Sequence, residues 1–216
     1  MRRGRPTRSE TARAQKLCSL LLQYPDQELL AARPQFQEAV SNLPGSDAKR
    51  ALQRFCSWWE QVAPLAMQQH YVETFDLDKR CGLYLTFYGD GDRRERGQAL
   101  LRMKRLYRAA GLPLEGTELP DYLPVMLEFA AEKGGREGAV VLREHRAALE
   151  LVRIGLRERD TPYAYLLDAV CATLGAMSPA DRARAVKLAA SGPPQELVGL
   201  EPFAPPEVMP VAGARR

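Results

Sequence analysis

The chain has 216 residues, 45% of them hydrophobic and 27% charged, a balance that belongs to a globular protein long enough to bury roughly 70% of its unfolded surface. No stretch approaches the roughly 20 uninterrupted apolar residues that span a bilayer, which excludes direct membrane insertion through a helix. The net charge of +4 comes partly from Arg2, Arg3, Arg5 and Arg8, so a basic arm over residues 1–8 precedes a nearly balanced body, and composition alone gives weak support for nucleic acid.

Arg2-Arg3 begins like an export signal, but no apolar region follows it before Lys16, so the sequence points to the cytoplasm. From Ser9, a candidate cap, Leu17, Leu20, Leu21 and Tyr24 recur at helical spacing until Pro25-Asp26. Leu29, Leu30, Phe36 and Val40 predict a second helix, interrupted or restarted at Pro34. Asp47 can cap a run in which Ala51, Leu52, Phe55, Trp58, Trp59 and Val62 form one apolar stripe. Pro64 suits the first turn of a helix carrying Leu65, Tyr71, Val72 and Phe75, aromatic positions that periodicity alone assigns to the core.

Leu83 to Tyr88 is the best strand candidate, and one isolated strand is unstable. After Gly89-Asp90-Gly91-Asp92, a capping box of Asp92 and Glu95 opens a cationic amphipathic helix from Arg93 to Ala110 that Gly111 stops. Prolines 120 and 124 lead into a short helix over Val125 to Ala131, which Gly134-Gly135 ends. One helix is predicted from Arg136 to Arg159, with His145 in its apolar stripe, and a successor after Thr161-Pro162. Ser178-Pro179 opens the last helix, and the prolines from Pro193 to Pro210 predict an extended or disordered tail over residues 191–216. The fold class is therefore all-α: a single helical domain over residues 9–190, with no repeat.

Chemistry is scarce. His70 and His145 are the only histidines, and no phosphate loop, nucleophile elbow or H-E-x-x-H occurs. His70-x-x-Glu73 is a lone pair at helical spacing, and Asp90-x-Asp92 lacks the rest of a calcium loop. Four scattered cysteines fit neither a zinc site nor a disulfide framework. Neither a cofactor nor a metal is expected, and a binding protein is favoured over an enzyme. The Arg93 to Arg108 helix keeps a basic nucleic-acid-binding regulator as an alternative.

Several ordered blocks lie between Tyr71 and Ala130: Tyr71-Val-Glu-Thr-Phe75-Asp76, Leu83-Tyr-Leu-Thr86, Gly89 to Leu101, Glu118-Leu-Pro-Asp-Tyr-Leu-Pro124 and Leu127-Glu-Phe-Ala130. The chain resembles, in these blocks, the respiratory nitrate reductase delta-subunit family, the NarJ-type molybdenum cofactor assembly chaperones. The resemblance implies a TorD-like helical bundle and a non-enzymatic escort. Such a protein binds the N-terminal segment of the apo nitrate reductase catalytic (alpha) subunit and holds it competent for cofactor insertion and membrane assembly; a different molybdoenzyme is the alternative client. The residues it implies for the partner-binding region are Tyr71, Phe75, Asp76, Tyr84, Arg96, Glu118, Pro120, Asp121, Tyr122 and Glu128. One departure stands out: Tyr122 follows the Pro-Asp pair where the wider group commonly has histidine, which argues against a proton-linked role there.

Overall fold

Helix starts follow from residues that answer the first free amides. In α1 (Arg8–Leu21) Thr7 and Glu10 cap each other reciprocally, two residues before the expected Ser9, which lies inside the helix. α2 (Gln27–Ala31) starts at Asp26, and α3 (Arg33–Ser41) restarts at Pro34. Ser46, rather than Asp47, caps α4 (Asp47–Trp59). Pro64 opens α5 (Pro64–Tyr71), which runs into a π-helical turn over Val72–Asp76.

A single 3₁₀ turn, Leu85–Tyr88, replaces the strand candidate. The cationic α6 (Arg93–Ala109) ends at Gly111, whose φ of 76° a side chain would resist. α7 (Leu123–Ala131), α8 (Gly135–Glu144), α9 (Arg146–Glu158), α10 (Tyr163–Leu174) and α11 (Pro179–Ser191) complete the chain.

The computed structural model describes residues 7–89, 93–114, 116–132 and 135–191, with no strand among them. Most of the basic arm, the Asp90-x-Asp92 turn with its Asp92 cap, the glycine stop at 134, and the proline-rich tail beyond Ser191 lie outside the described residues.

α10 is apolar nearly all round, and for that reason it is central: α4, α9 and α1 pack against it. Tyr163, Leu166, Leu167 and Val170 are each fully buried there, worth about 1.5–3 kcal/mol apiece for the aliphatic side chains. α7 lies across α1 and carries α8 on its other side, while α11 covers α9. One cluster of buried side chains runs from Ala14 to Val170 through all of these helices except α11 and α2. The predicted helix from Arg136 to Arg159 is two helices broken at His145. The π-turn and the loop around Tyr84 stand where irregular backbone meets this core.

Candidate partner-binding surface

Two irregular segments, 83–85 and 121–123, are tied edge to edge. The Leu85 amide donates to the Asp121 carbonyl at 3.0 Å and the Leu123 amide to the Leu83 carbonyl at 2.8 Å, so that Tyr84 and Tyr122 form an isolated antiparallel bridge. Residues directly opposite in such a pair put their side chains together. The Tyr84 and Tyr122 rings accordingly stack, with centroids 5.1 Å apart and planes at 30°.

Beneath them the Asp121 carboxylate is wholly buried. Its Oδ2 accepts from the Thr86 hydroxyl at 2.6 Å and the Thr86 amide at 3.3 Å. Arg96 donates through Nε to Thr86 Oγ1 at 3.2 Å and brings its guanidinium within 3.9 Å of the same carboxylate. A buried charge persists only when it is paired in this way. Pro120 is buried next to it, and its carbonyl accepts from the Tyr107 hydroxyl of α6 at 2.8 Å. Segment 118–122 is thus anchored from both sides.

The second wall comes from α5. Its last residue, Tyr71, donates its hydroxyl to the Leu22 carbonyl at 3.0 Å, which leaves the Tyr122 hydroxyl to donate to Tyr71 at 3.3 Å. The Leu77 amide then reaches back five residues to the Val72 carbonyl at 3.1 Å, the bond that makes this turn a π-turn. The wider turn sends Phe75 inward, onto Tyr71 and Tyr163 with centroids 4.9 and 4.7 Å away, and leaves Asp76 exposed. Leu77, the next residue, is 73% exposed. Tyr24 stands edge-on to Tyr71 at 5.5 Å and is 46% exposed.

The result is a contiguous run of phenol rings, Tyr24, Tyr71, Tyr122 and Tyr84, with carboxylates beside it. Exposed Glu118 lies 3.5 Å from the Tyr84 hydroxyl, and the charge of Asp76 acts on Tyr71 and Tyr122. Burial pushes the Tyr84 hydroxyl up to about 12, with Glu118 adding to the effect, and burial raises Tyr71 and Tyr122 as well. These phenols stay neutral at any working pH. Such a face suits a segment with apolar side chains and at least one cation, which the carboxylates and ring faces both attract.

Of the ten residues named from sequence, Tyr71, Asp76, Tyr84, Glu118 and Tyr122 come together around this face. Phe75, Arg96, Pro120 and Asp121 lie beneath it and hold it in shape. Glu128 does not join them: it pairs with Lys16 of α1, as Glu132 does at 3.1 Å, and so ties α1 to α7. Thr86 and Tyr24 escaped the sequence reading. Thr86 stood in one of the ordered blocks, yet its role depends on a carboxylate 35 positions away.

His70 gives its Nε2 to the Thr161 hydroxyl at 2.7 Å instead of to a metal, and no group of three His, Cys, Asp or Glu suited to a metal ion occurs among the described residues. Burial holds the Cys56, Cys81 and Cys171 thiols up at about 11, which keeps them protonated. Among the described residues, no helix is long and apolar enough to cross a membrane.

Comparison with known proteins places these features in a family. The family model described as nitrate reductase delta subunit matches residues 41–168, a span that includes the whole aromatic face except Tyr24. The chain is 36% identical over 157 residues to the probable nitrate reductase molybdenum cofactor assembly chaperone NarJ of Bacillus subtilis (strain 168), covering 72% of this chain and 85% of that one. It is 36% identical over 155 residues to the nitrate reductase molybdenum cofactor assembly chaperone NarJ of Escherichia coli (strain K12), covering 70% and 65% respectively. The nitrate reductase-like protein NarX of Mycobacterium tuberculosis (strain ATCC 25618 / H37Rv) is also 36% identical over 155 residues, although the match spans only 23% of that longer protein.

Proposed function

The chain belongs to the nitrate reductase delta subunit family, and from that premise we propose that it is a system-specific chaperone of a nitrate reductase, acting in the cytoplasm on the catalytic subunit before cofactor insertion. The observation that carries the reading is the aromatic, acid-edged face, which suits recognition of an amphipathic N-terminal helix of the client. Burial of the helix's apolar stripe against Tyr24, Tyr84 and Tyr122 supplies affinity. Asp76 and Glu118 meet basic residues of the client, which fixes register and speeds encounter more than it tightens the complex. Asp121, Thr86 and Arg96 make no contact with the client and act by holding Tyr84 and Tyr122 side by side. The chain's part in this reading is to bind and release; no catalytic step is assigned to it.

The test is calorimetric titration of the chain with a peptide of the first residues of the catalytic subunit. Binding in the micromolar range or tighter is expected, about −8 kcal/mol or better. Tyr84→Ala should weaken it about tenfold, the usual cost of truncating a partly buried aromatic anchor. Glu118→Lys should weaken it most at low salt, with the difference shrinking as salt rises. Absence of binding heat would overturn the reading, while binding of another molybdoenzyme's peptide in preference would reassign the client.

A further inference from the structure

A hollow of mixed apolar and polar lining lies between α6, α8, α9 and α11; Leu85 and Thr86, which brace the aromatic face from beneath, form one edge of it, and none of the four tyrosines does. It encloses about 600 Å³, within the size range of ligand and peptide pockets. Met103, Leu106, Val141 and Leu188 line it, and at exposed positions of the wall the two cations Arg102 and Arg184 outnumber the one carboxylate, Glu144. Leu188 also lines a smaller adjoining cleft, of about 160 Å³, together with Leu151 and Ile154. Ile154 is 42% exposed, so the apolar surface runs on from one hollow to the other.

α11 ends at Ser191, three residues after Leu188, and 25 residues follow it. Their sequence matches what the hollow offers. Leu197, Leu200 and Phe203 recur every third residue, a spacing that puts them on one side of a polyproline-type chain, and five prolines stand between positions 193 and 206. Glu196, Glu201 and Glu207 are the only charges before Arg215, opposite in sign to Arg102 and Arg184. Reach is no obstacle, because the six residues from Ser191 to Leu197 span up to about 20 Å when extended.

We infer that the segment from Glu196 to Phe203 folds back onto its own chain, seating Leu197, Leu200 and Phe203 in the hollow between α6, α8 and α11, with Glu196 and Glu201 toward Arg102 and Arg184. Tethering favours this occupant over a second copy. A short linker holds the segment at an effective concentration of order millimolar, above the micromolar concentration of free chains.

The test uses the full chain with labelled methyl groups, observed by NMR beside a variant carrying Leu197→Ser, Leu200→Ser and Phe203→Ser. The Met103, Leu106, Val141 and Leu188 signals are expected to shift in the variant, those of Leu21 and Met67 to stay in place, and the differences to be independent of protein concentration. Unmoved signals around the hollow would overturn the inference. Shifts that grow with protein concentration would give the site to the tail of a second copy, which overturns it equally. If the variant disturbs the whole core, the wild-type chain decides: cross-relaxation between the Phe203 ring and the Leu188 methyls supports the seating, and its absence dismisses it. None of the three substituted residues belongs to the aromatic face, so peptide binding in this variant is expected to match the wild type, whatever the fate of the chaperone reading.

Discussion

Removing the Asp121 carboxylate leaves the buried Thr86 hydroxyl and the half-buried Arg96 guanidinium without the group that orients them. Asp121→Ala is expected to cost about 3 kcal/mol of stability, the range for a buried hydrogen-bonded charge that loses its partner. Thr86→Val, which keeps the backbone amide bond to Asp121, should cost about 2 kcal/mol. Urea unfolding followed by circular dichroism measures both, and losses under about 0.5 kcal/mol would show that the network adds nothing to the fold. The ordered sequence blocks named Asp121, Tyr84 and Arg96 because those residues sit in short motifs. They could not pair them, since Asp121 meets Thr86 from 35 positions away and Glu128 meets Lys16 from 112. Glu128 stood in a block like the rest, and its pairing with Lys16 of α1 sets it apart from the aromatic face.

Apolar stripes are local, and the helices they define were legible: α4 and the restart at Pro34 follow the sequence pattern closely. The breaks were not. At His145 the Nδ1–H donates to the Val141 carbonyl at 2.9 Å, the same carbonyl that its own backbone amide approaches at 3.3 Å. A side chain competing for backbone groups in this way splits one periodic pattern into α8 and α9. The π-turn after Tyr71 was hidden for a similar reason, since an extra residue in a turn leaves the local apolar spacing looking helical. Packing of α7 on α8 rests on an absence of side chain. A Cβ on Gly138 would lie 2.4 Å from the Cα of Ala130 and 3.1 Å from its nitrogen, backbone atoms that yield only if the helices part. Gly138→Ala should therefore destabilise by about 2 kcal/mol and lower the melting temperature by about 4–8 °C. Gly97→Ala is the control: nothing lies within 4 Å of that position, and the better helix former should stabilise α6 by about 0.5–1 kcal/mol. A thermal melt in which both variants move in the same direction would contradict the packing account.

Across the whole molecule, His70 links the aromatic core to the start of α10. Its ring stacks on Tyr163 with centroids 5.9 Å apart, meets Trp58 at 5.4 Å, and bonds to Thr161 at the entry to α10. Burial lowers its pKa below the usual 6.5, against the opposing pull of Glu73 and with the help of Arg159. The unfolded chain therefore takes up a proton at a higher pH than the fold does, so this contribution is complete above about pH 6.5 and is lost as pH falls toward the folded value. Asp78 acts in a lower window. Burial would raise its carboxyl, but the Arg80 amide and the Arg159 and Arg80 guanidinium groups outweigh that and hold it below 3.8, so its contribution is lost only under about pH 4. Melting temperature should thus fall between about pH 7.5 and 5.5 in the wild type. His70→Phe keeps a ring against Tyr163 but loses the Thr161 bond, so it should start lower at pH 7.5 and change less on acidification. Tyr71 follows His70 in the chain and supports Tyr122, so under the proposed chaperone reading client-peptide affinity in the wild type should weaken over the same interval and hold steadier in the variant. If the two chains lose stability in parallel, the His70 ring is not the group that senses acid.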